Sequence, residues 1–249
     1  MAERRDDGAW LLSQRVLPMP VEIRSATTAV AVFTCSSAAA RQAVGDSRLE
    51  VLSIRGRAAA VFVCVSYLDG DLDSYDEVGF GVLVRPRGVS KTTRPPARPG
   101  IFTFELPVTA EFTREAGVEI WALPKWVADA DMRFGPSEMT VSLAEDGELA
   151  MTGRFRRGRF RIPFRVSAGA TGWSTRSEAI IATRSTTRLR DVRIAMGGTT
   201  ITTGPHRMGK TIEALQLSRR SLVTVTASMA ATINDAEPVI GSVASEVAR

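Results

Sequence analysis

The run Ala58–Tyr67 is apolar almost throughout, is rich in Val, and breaks off at the acidic stretch Leu68–Ser74. Such a run, bounded by turn residues, reads as a strand buried on both faces. Strand patterns recur at Val21–Cys35, Val78–Val84 and Phe102–Val108, then near Ser177–Arg184 and Val192–Met196, and Ser221–Thr232 is β-rich. Met139–Leu143 and Glu148–Phe155 flank Glu145-Asp146-Gly147, a hairpin signal. Helices are few. Ser36 or Ser37 caps Ala38–Val44, Thr109–Glu119 contains a short helical segment, and Met208–Leu217 follows Gly204-Pro205 with a core stripe of Met208, Ile212, Leu215 and Leu217. Lys91–Gly100, with three prolines and two arginines, reads as an exposed loop. No repeat or composition break marks a second domain. The pattern implies an α+β, mainly antiparallel β protein. A single barrel- or cone-like domain is expected over residues 1–249 with a few short peripheral helices, closed or nearly closed to manage its strand edges, with 1–15 and 236–249 as disordered tails.

Hydrophobic content of 44% and charged content of 24% suit a globular protein with a real core. No apolar run has signal-peptide or membrane-span form, so a cytoplasmic location is expected. Cys35 and Cys64 lie in strand-like segments and read as buried thiols. A single histidine, His206, leaves little for a His-based triad or metal cluster, and it reads as a turn or helix-cap residue. Net charge is +5, but the arginines are spread along the chain. The densest cluster, Gly153–Arg165, reads as a hairpin turning at Arg157-Gly158. Phe160, Ile162, Phe164 and Val166 form its core face and an Arg row its solvated face. Neither a nucleic-acid nor a membrane partner is expected from this.

Of 32 basic residues, only Lys91, Lys125 and Lys210 are lysines. Lys125 sits in Glu119-Ile120-Trp121-Ala122-Leu123-Pro124-Lys125-Trp126-Val127, with one acid and no other base. Desolvation among Leu, Pro, Trp and Val disfavours a charged amine. A neutral lysine amine can attack a carbonyl and form a Schiff base, which arginine cannot. The alternative is a stem packed on Trp with its ammonium in water.

The segment Gly117-x-Glu119-Ile120-x-Ala122-x-Pro124-Lys125 resembles the active-site segment of the acetoacetate decarboxylase superfamily. In that family a Pro-Lys-Lys stretch supplies the Schiff-base lysine. Ser74-Tyr75-Asp76-Glu77-Val78 resembles the family's Tyr-x-Glu, Ala39–Val44 its early helix, and Gly204-Pro205-His206 a late Gly-Pro turn, while Arg24 lies near the family's pocket arginine. Two departures stand out: Trp126 replaces the second lysine, and apolar residues near Phe62 or Val63 replace an upstream carboxylate.

The resemblance implies a lyase that forms a Schiff base on a small keto acid at Lys125 and needs no metal, nicotinamide or pyridoxal cofactor. It also implies a homo-oligomer. Glu77 would shuttle protons or orient the substrate, and Arg24 would hold its carboxylate. Tyr75 would donate a hydrogen bond or fill the core, and Glu119 would contact substrate or support the lysine segment. Trp121 and Trp126 would flank and desolvate the amine. Three functions stay open: decarboxylation of a β-keto acid, aldol addition and dehydration on pyruvate or another 2-keto acid with an aldehyde, and non-catalytic ligand binding.

Overall fold

The computed structural model describes residues 2–13, 15–87, 98–177 and 179–240. Short strands β1 (Glu3–Arg4), β2 (Trp10–Leu12) and β3 (Arg15–Leu17) form a small antiparallel sheet. Then come β4 (Val21–Ser36), α1 (Ser37–Val44), β5 (Leu49–Val51), β6 (Ser53–Ile54), β7 (Arg57–Gly70), β8 (Tyr75–Pro86) and β9 (Gly100–Val108). Helix α2 (Glu111–Trp121) leads into β10 (Lys125–Val127), β11 (Asp129–Phe134), β12 (Glu138–Glu145) and β13 (Glu148–Arg156). The chain continues through β14 (Phe160–Arg161), β15 (Val166–Arg176), β16 (Ala179–Met196), β17 (Thr199–Thr203), α3 (Arg207–Ala214) and β18 (Val223–Ile240).

Strands β9, β15, β16, β18, β4, β7 and β8 follow one another through hydrogen-bonded pairs, and β8 pairs back onto β9, closing a ring. All of these pairings are antiparallel except β9 with β15. The fold is therefore mainly antiparallel β and barrel-like, and closure removes the edges that long apolar strands would otherwise expose. Strand β9 changes partner along its length. It pairs with β15 at Ile101 and Phe102, and with β10 at Leu106–Val108, which seats Lys125 in the wall of the ring.

Alternation along each strand sends side chains to opposite faces. Phe33, Phe62, Phe80, Val82 and Trp173 join a core with Met139, Val141, Leu143 and Phe155 of the four-stranded sheet β11-β12-β13-β17 and with Met208, Ile212 and Leu215 at α3. A second cluster joins Val65, Tyr67 and Tyr75 to Ala116, Ile120 and Trp121 at α2 and to Leu12 and Leu17 of the N-terminal sheet. Cys35 and Cys64 are buried free thiols.

Local chemistry accounts for the element ends. Ser36 caps α1 by accepting from the Ala39 N–H at 3.3 Å. Between β12 and β13, Asp146 and Gly147 both have positive φ, as a tight two-residue hairpin turn requires. His206 caps α3, its Nδ1 accepting from the Met208 N–H at 3.3 Å.

Four expectations are corrected. The Gly153–Arg165 hairpin does not form, because β13 is held between β12 and β17 and the chain then crosses to pair β14 with β16. Phe160 and Phe164 are consequently exposed, at 68% and 67%, rather than core residues. Residues 1–15 are not a disordered tail where described: Trp10 donates to Asp235 at 3.1 Å, and Leu12 is fully buried. Likewise β18 runs through residue 236 to 240, while 241–249 lie outside the described residues. The two strands expected near Ser177–Arg184 and Val192–Met196 are one strand, β16, with irregular register around Asp191. Most of the Lys91–Gly100 loop also lies outside the described residues.

Candidate active site

Lys125 follows a short turn that α2 and β9 fix at both ends. Ala122 closes α2 in the left-handed region, with φ 52 and ψ 33, and the Leu123 N–H bonds back to the Gly117 carbonyl at 3.0 Å. The Leu106 N–H then donates to the Pro124 carbonyl at 3.2 Å, and the Ala128 N–H to the Val108 carbonyl at 2.9 Å. These bonds set the register of β10. The Lys125 side chain enters the ring and is only 4% exposed. Its stem lies on Gly117, the one residue of that helical turn without a side chain to block it.

Inside the ring the Lys125 Nζ donates to Glu77 Oε2 at 2.6 Å. Glu77 comes from β8, opposite Val108 of β9, and its side chain is 13% exposed. Its other oxygen, Oε1, accepts from the Tyr67 hydroxyl at 3.1 Å. Tyr67 stacks on Tyr75, with ring centroids 4.3 Å apart, and the Lys125 Nζ lies 5.5 Å from the Tyr75 ring centroid. Burial, followed for Tyr67 by the Glu77 charge, pushes both phenols well above the ordinary tyrosine range. They remain neutral hydrogen-bonding groups at physiological pH.

These residues face a cavity of about 230 Å³ to which β7, β8, β9, β15, β16 and β18 all contribute lining residues. Strands from opposite sides of the ring share it, so the cavity lies within the ring. Lys125, Glu77, Tyr75 and Trp121 therefore meet in one place. Trp121 is held there by its indole N–H, which donates to the Asn234 carbonyl at 2.9 Å. Lys125 and Glu77 are the charged residues among the described lining groups. Among the described residues no cluster of three His, Cys, Asp or Glu side chains is placed to hold a metal ion.

Three expected site residues lie elsewhere. Arg24 is half exposed and turns outward from β4, where Asp69 at 2.8 Å and 2.9 Å and Asp71 at 2.8 Å occupy its guanidinium. It braces the acidic turn rather than the cavity. Glu119 lies on the outer side of α2 and accepts from the Ala2 N–H at 3.4 Å. Trp126, next to Lys125 in an extended strand, points the opposite way. Its indole donates to the buried Glu105 at 2.9 Å, with the His206 ring 4.9 Å and the Arg207 guanidinium 4.5 Å away. Trp126, which the resemblance sets at the family's second lysine, thus faces the outer core.

Tyr67 was not anticipated, although its place at the polar end of an apolar strand is a visible signal. Four cavity hydroxyls, Thr103, Thr171, Thr183 and Ser185, were also missed. Two of those strand segments, Val166–Arg176 and the middle of β16, are rich in small and polar residues, without the apolar alternation that announces a strand.

A closed β ring thus holds a buried amine against a carboxylate at the wall of an internal cavity. The family model for acetoacetate decarboxylase matches residues 12–163, and the chain belongs to that family. Its fold is similar to acetoacetate decarboxylase from Legionella pneumophila, with TM-score 0.64, 16% identity and 92% of each chain covered. It is also similar to the enduracididine biosynthesis enzyme MppR in complex with pyruvate, with TM-score 0.67, 14% identity and 92% and 93% coverage of this chain and that one. An acetoacetate decarboxylase-like enzyme from Sphingomonas wittichii RW1 gives TM-score 0.54 at 15% identity, covering 90% and 94%. No curated protein matches the chain. Among the described residues no helix is long and apolar enough to cross a membrane.

Proposed function

We propose that the chain is a Schiff-base-forming lyase that decarboxylates a β-keto acid through Lys125. The observation that carries this reading is the 2.6 Å contact between the Lys125 Nζ and Glu77 inside an apolar cavity. Glu77 takes a proton from the lysine ammonium, and the free amine attacks the substrate ketone. Loss of water gives an iminium. The bond to the carboxylate then breaks, its electron pair enters the new carbon–carbon double bond of an enamine, and carbon dioxide departs. Glu77, which gives up its first proton as the hydroxyl leaves as water, takes a second from solvent and delivers it to the enamine carbon, and water hydrolyses the resulting iminium to release the ketone and the lysine ammonium.

Glu77 also helps by its charge. A substrate carboxylate beside it meets a like charge in a poorly solvated space, and departure as neutral carbon dioxide relieves that repulsion. The fold's similarity to MppR, solved with the condensation product of pyruvate and imidazole 4-carboxaldehyde, supports a second reading, aldol addition and dehydration on a 2-keto acid. In that chemistry the carboxylate is retained and calls for a cation to hold it. The described lining offers only Lys125, which is already engaged as nucleophile, so decarboxylation is favoured.

The test is borohydride trapping with acetoacetate and with pyruvate, followed by peptide mass analysis. The reduced adduct is expected on Lys125, and Lys125→Arg abolishes it. Labelling of Lys91 or Lys210 instead, or no labelling, removes the catalytic reading in favour of a ligand-binding protein. Carbon dioxide release, against formation of an unsaturated keto acid from pyruvate and an aldehyde, separates the two chemistries.

A further inference from the structure

The cavity is longer than acetoacetate requires, and its far end is polar in a particular way. Lys125 lies level with Leu106 on β9, whereas Thr103 is three residues away and Ile101, level with Gly172 and hence with Thr183, is five. At the usual strand rise this is a separation of about 10 to 17 Å between backbone levels. Leu106, Val63 and Phe80 line the stretch nearest Lys125, and Val61, level with Gly81 and so with Thr103, lines the middle. Thr103 stands there, and Thr171, Thr183 and Ser185 stand beyond it, with none of the four hydroxyls having a hydrogen-bond partner among the described residues. The Thr183 hydroxyl is buried as well as unpartnered. Buried polar groups without partners are rare and destabilising, and a ligand group that pairs with them relieves that cost. The volume agrees: about 230 Å³ is roughly 1.5 times an apolar cavity known to hold benzene.

We propose that the substrate is a β-keto acid longer than acetoacetate, ending in an uncharged hydrogen-bonding group that the Thr183 end of the cavity receives. The inference rests on Lys125 as the carbonyl-binding end. From the imine carbon the apolar chain runs along β9 past Val63 and Val61. Its terminal hydroxyl, or a group of similar polarity, reaches Thr183 and Ser185. An uncharged terminus follows from the lining, whose described charges are both at the Lys125 end.

The test is a series of β-keto acids lengthened from acetoacetate one methylene at a time, each made with a methyl and with a hydroxyl terminus. Specificity constants come from carbon dioxide release. The corresponding ketones, which cannot decarboxylate, give binding constants by calorimetry. We expect kcat/KM to rise about fourfold per methylene until the chain fills the cavity. At that length the hydroxyl-terminated compound should be favoured about tenfold over its methyl-terminated partner. Thr183→Val should remove this preference, and Thr183→Ser should keep it, which separates a lost hydroxyl from a damaged fold. Acetoacetate as the best substrate, with a terminal preference that Thr183→Val leaves unaltered, overturns the inference while the lyase reading stands. Thr183-dependent binding of the long hydroxyl-ketones without any carbon dioxide release supports the ligand length and terminus read from the cavity and removes the lyase reading on which the substrate class rests. Absence of both turnover and binding for every longer compound overturns the inference.

Discussion

Gly117 and Lys125 are packed so tightly that no side chain fits between them: a Cβ on Gly117 would lie 2.3 Å from Lys125 Cδ and 2.6 Å from Cε. Helix α2 therefore acts as a flat rest for the lysine stem, and it can do so only at a glycine. In an exposed helix interior, Gly→Ala would gain about 1 kcal/mol. In Gly117→Ala that gain is set against the push on a stem that is already buried. We expect a variant that stays folded, with a melting temperature near the parent value, and a Lys125 amine displaced from its line of attack. Misplacement by about 1 Å can cost roughly a hundredfold in rate. Borohydride trapping should slow by about that factor, and trapping at the parent rate would show that the stem can swing aside freely.

The turn that delivers Lys125 contains its own strain. Ala122 occupies the left-handed region, which costs a residue with a Cβ roughly 1–2 kcal/mol. Glycine relieves that cost but adds freedom to the unfolded chain, worth about 0.4–1 kcal/mol against folding. Ala122→Gly is expected to stabilise the protein by up to about 1 kcal/mol, a rise of roughly 2–4 °C for a chain of this size. Differential scanning calorimetry decides it, with a fall in melting temperature as the contrary result.

Tyr67 holds the oxygen of Glu77 that Lys125 leaves free, at 3.1 Å. Tyr67→Phe removes one hydrogen bond to a charged group, worth about 1.5–3 kcal/mol, and should lower turnover by at least tenfold while the lysine still forms its imine. Burial keeps the phenol protonated well above the ordinary tyrosine range, so it does not titrate near neutrality. The pH–rate profile of the variant should accordingly keep the parent's shape over that range and differ in height. A changed shape between pH 6 and 9 would mean that the phenol exchanges a proton in the reaction.

What the sequence made legible follows from how strongly each segment is patterned. Ala58–Tyr67 is a near-continuous apolar strand, Val21–Cys35 carries an apolar run at Ala29–Phe33, and both lie in the ring. Lys125 was conspicuous because lysine is rare in an arginine-rich chain and apolar residues surround it, and Glu77 followed from resemblance. The Phe-Arg alternation at Gly153–Arg165 misled because period-two patterning states which residues share a face, not whether that face is covered. Arg24 misled because proximity in sequence to a family position does not fix orientation. The register of β4 turns it outward, to Asp69 and Asp71. Strand β15 was illegible because Ser167–Gly172 contains only small residues, and it becomes a strand through its neighbours β9 and β16.

The environment of Trp126 yields the last prediction. Its indole binds Glu105, whose carboxyl is raised above the ordinary glutamate range chiefly by burial, with Trp126, Arg207, His206 and Thr211 acting in the opposite direction. A carboxyl with a raised folded-state value binds its proton more tightly in the folded chain than in the unfolded one. Its contribution to stability is therefore complete below the unfolded value, about 4.3, and is lost as pH rises through the folded value. Glu105→Gln keeps an acceptor for the Trp126 indole, turns its NH2 toward the Thr211 hydroxyl, which can accept, and cannot ionise. The stability of Glu105→Gln relative to the parent should consequently increase from pH 4 toward pH 8. The His206–Glu145 pair, present in both proteins, largely cancels in the comparison. Lys125 faces the other side of β10, so borohydride trapping at Lys125 should be unchanged in this variant. Chemical denaturation at a series of pH values tests the first point. A stability difference that is flat with pH, or that falls as pH rises, would show that the folded protein does not disfavour the Glu105 charge.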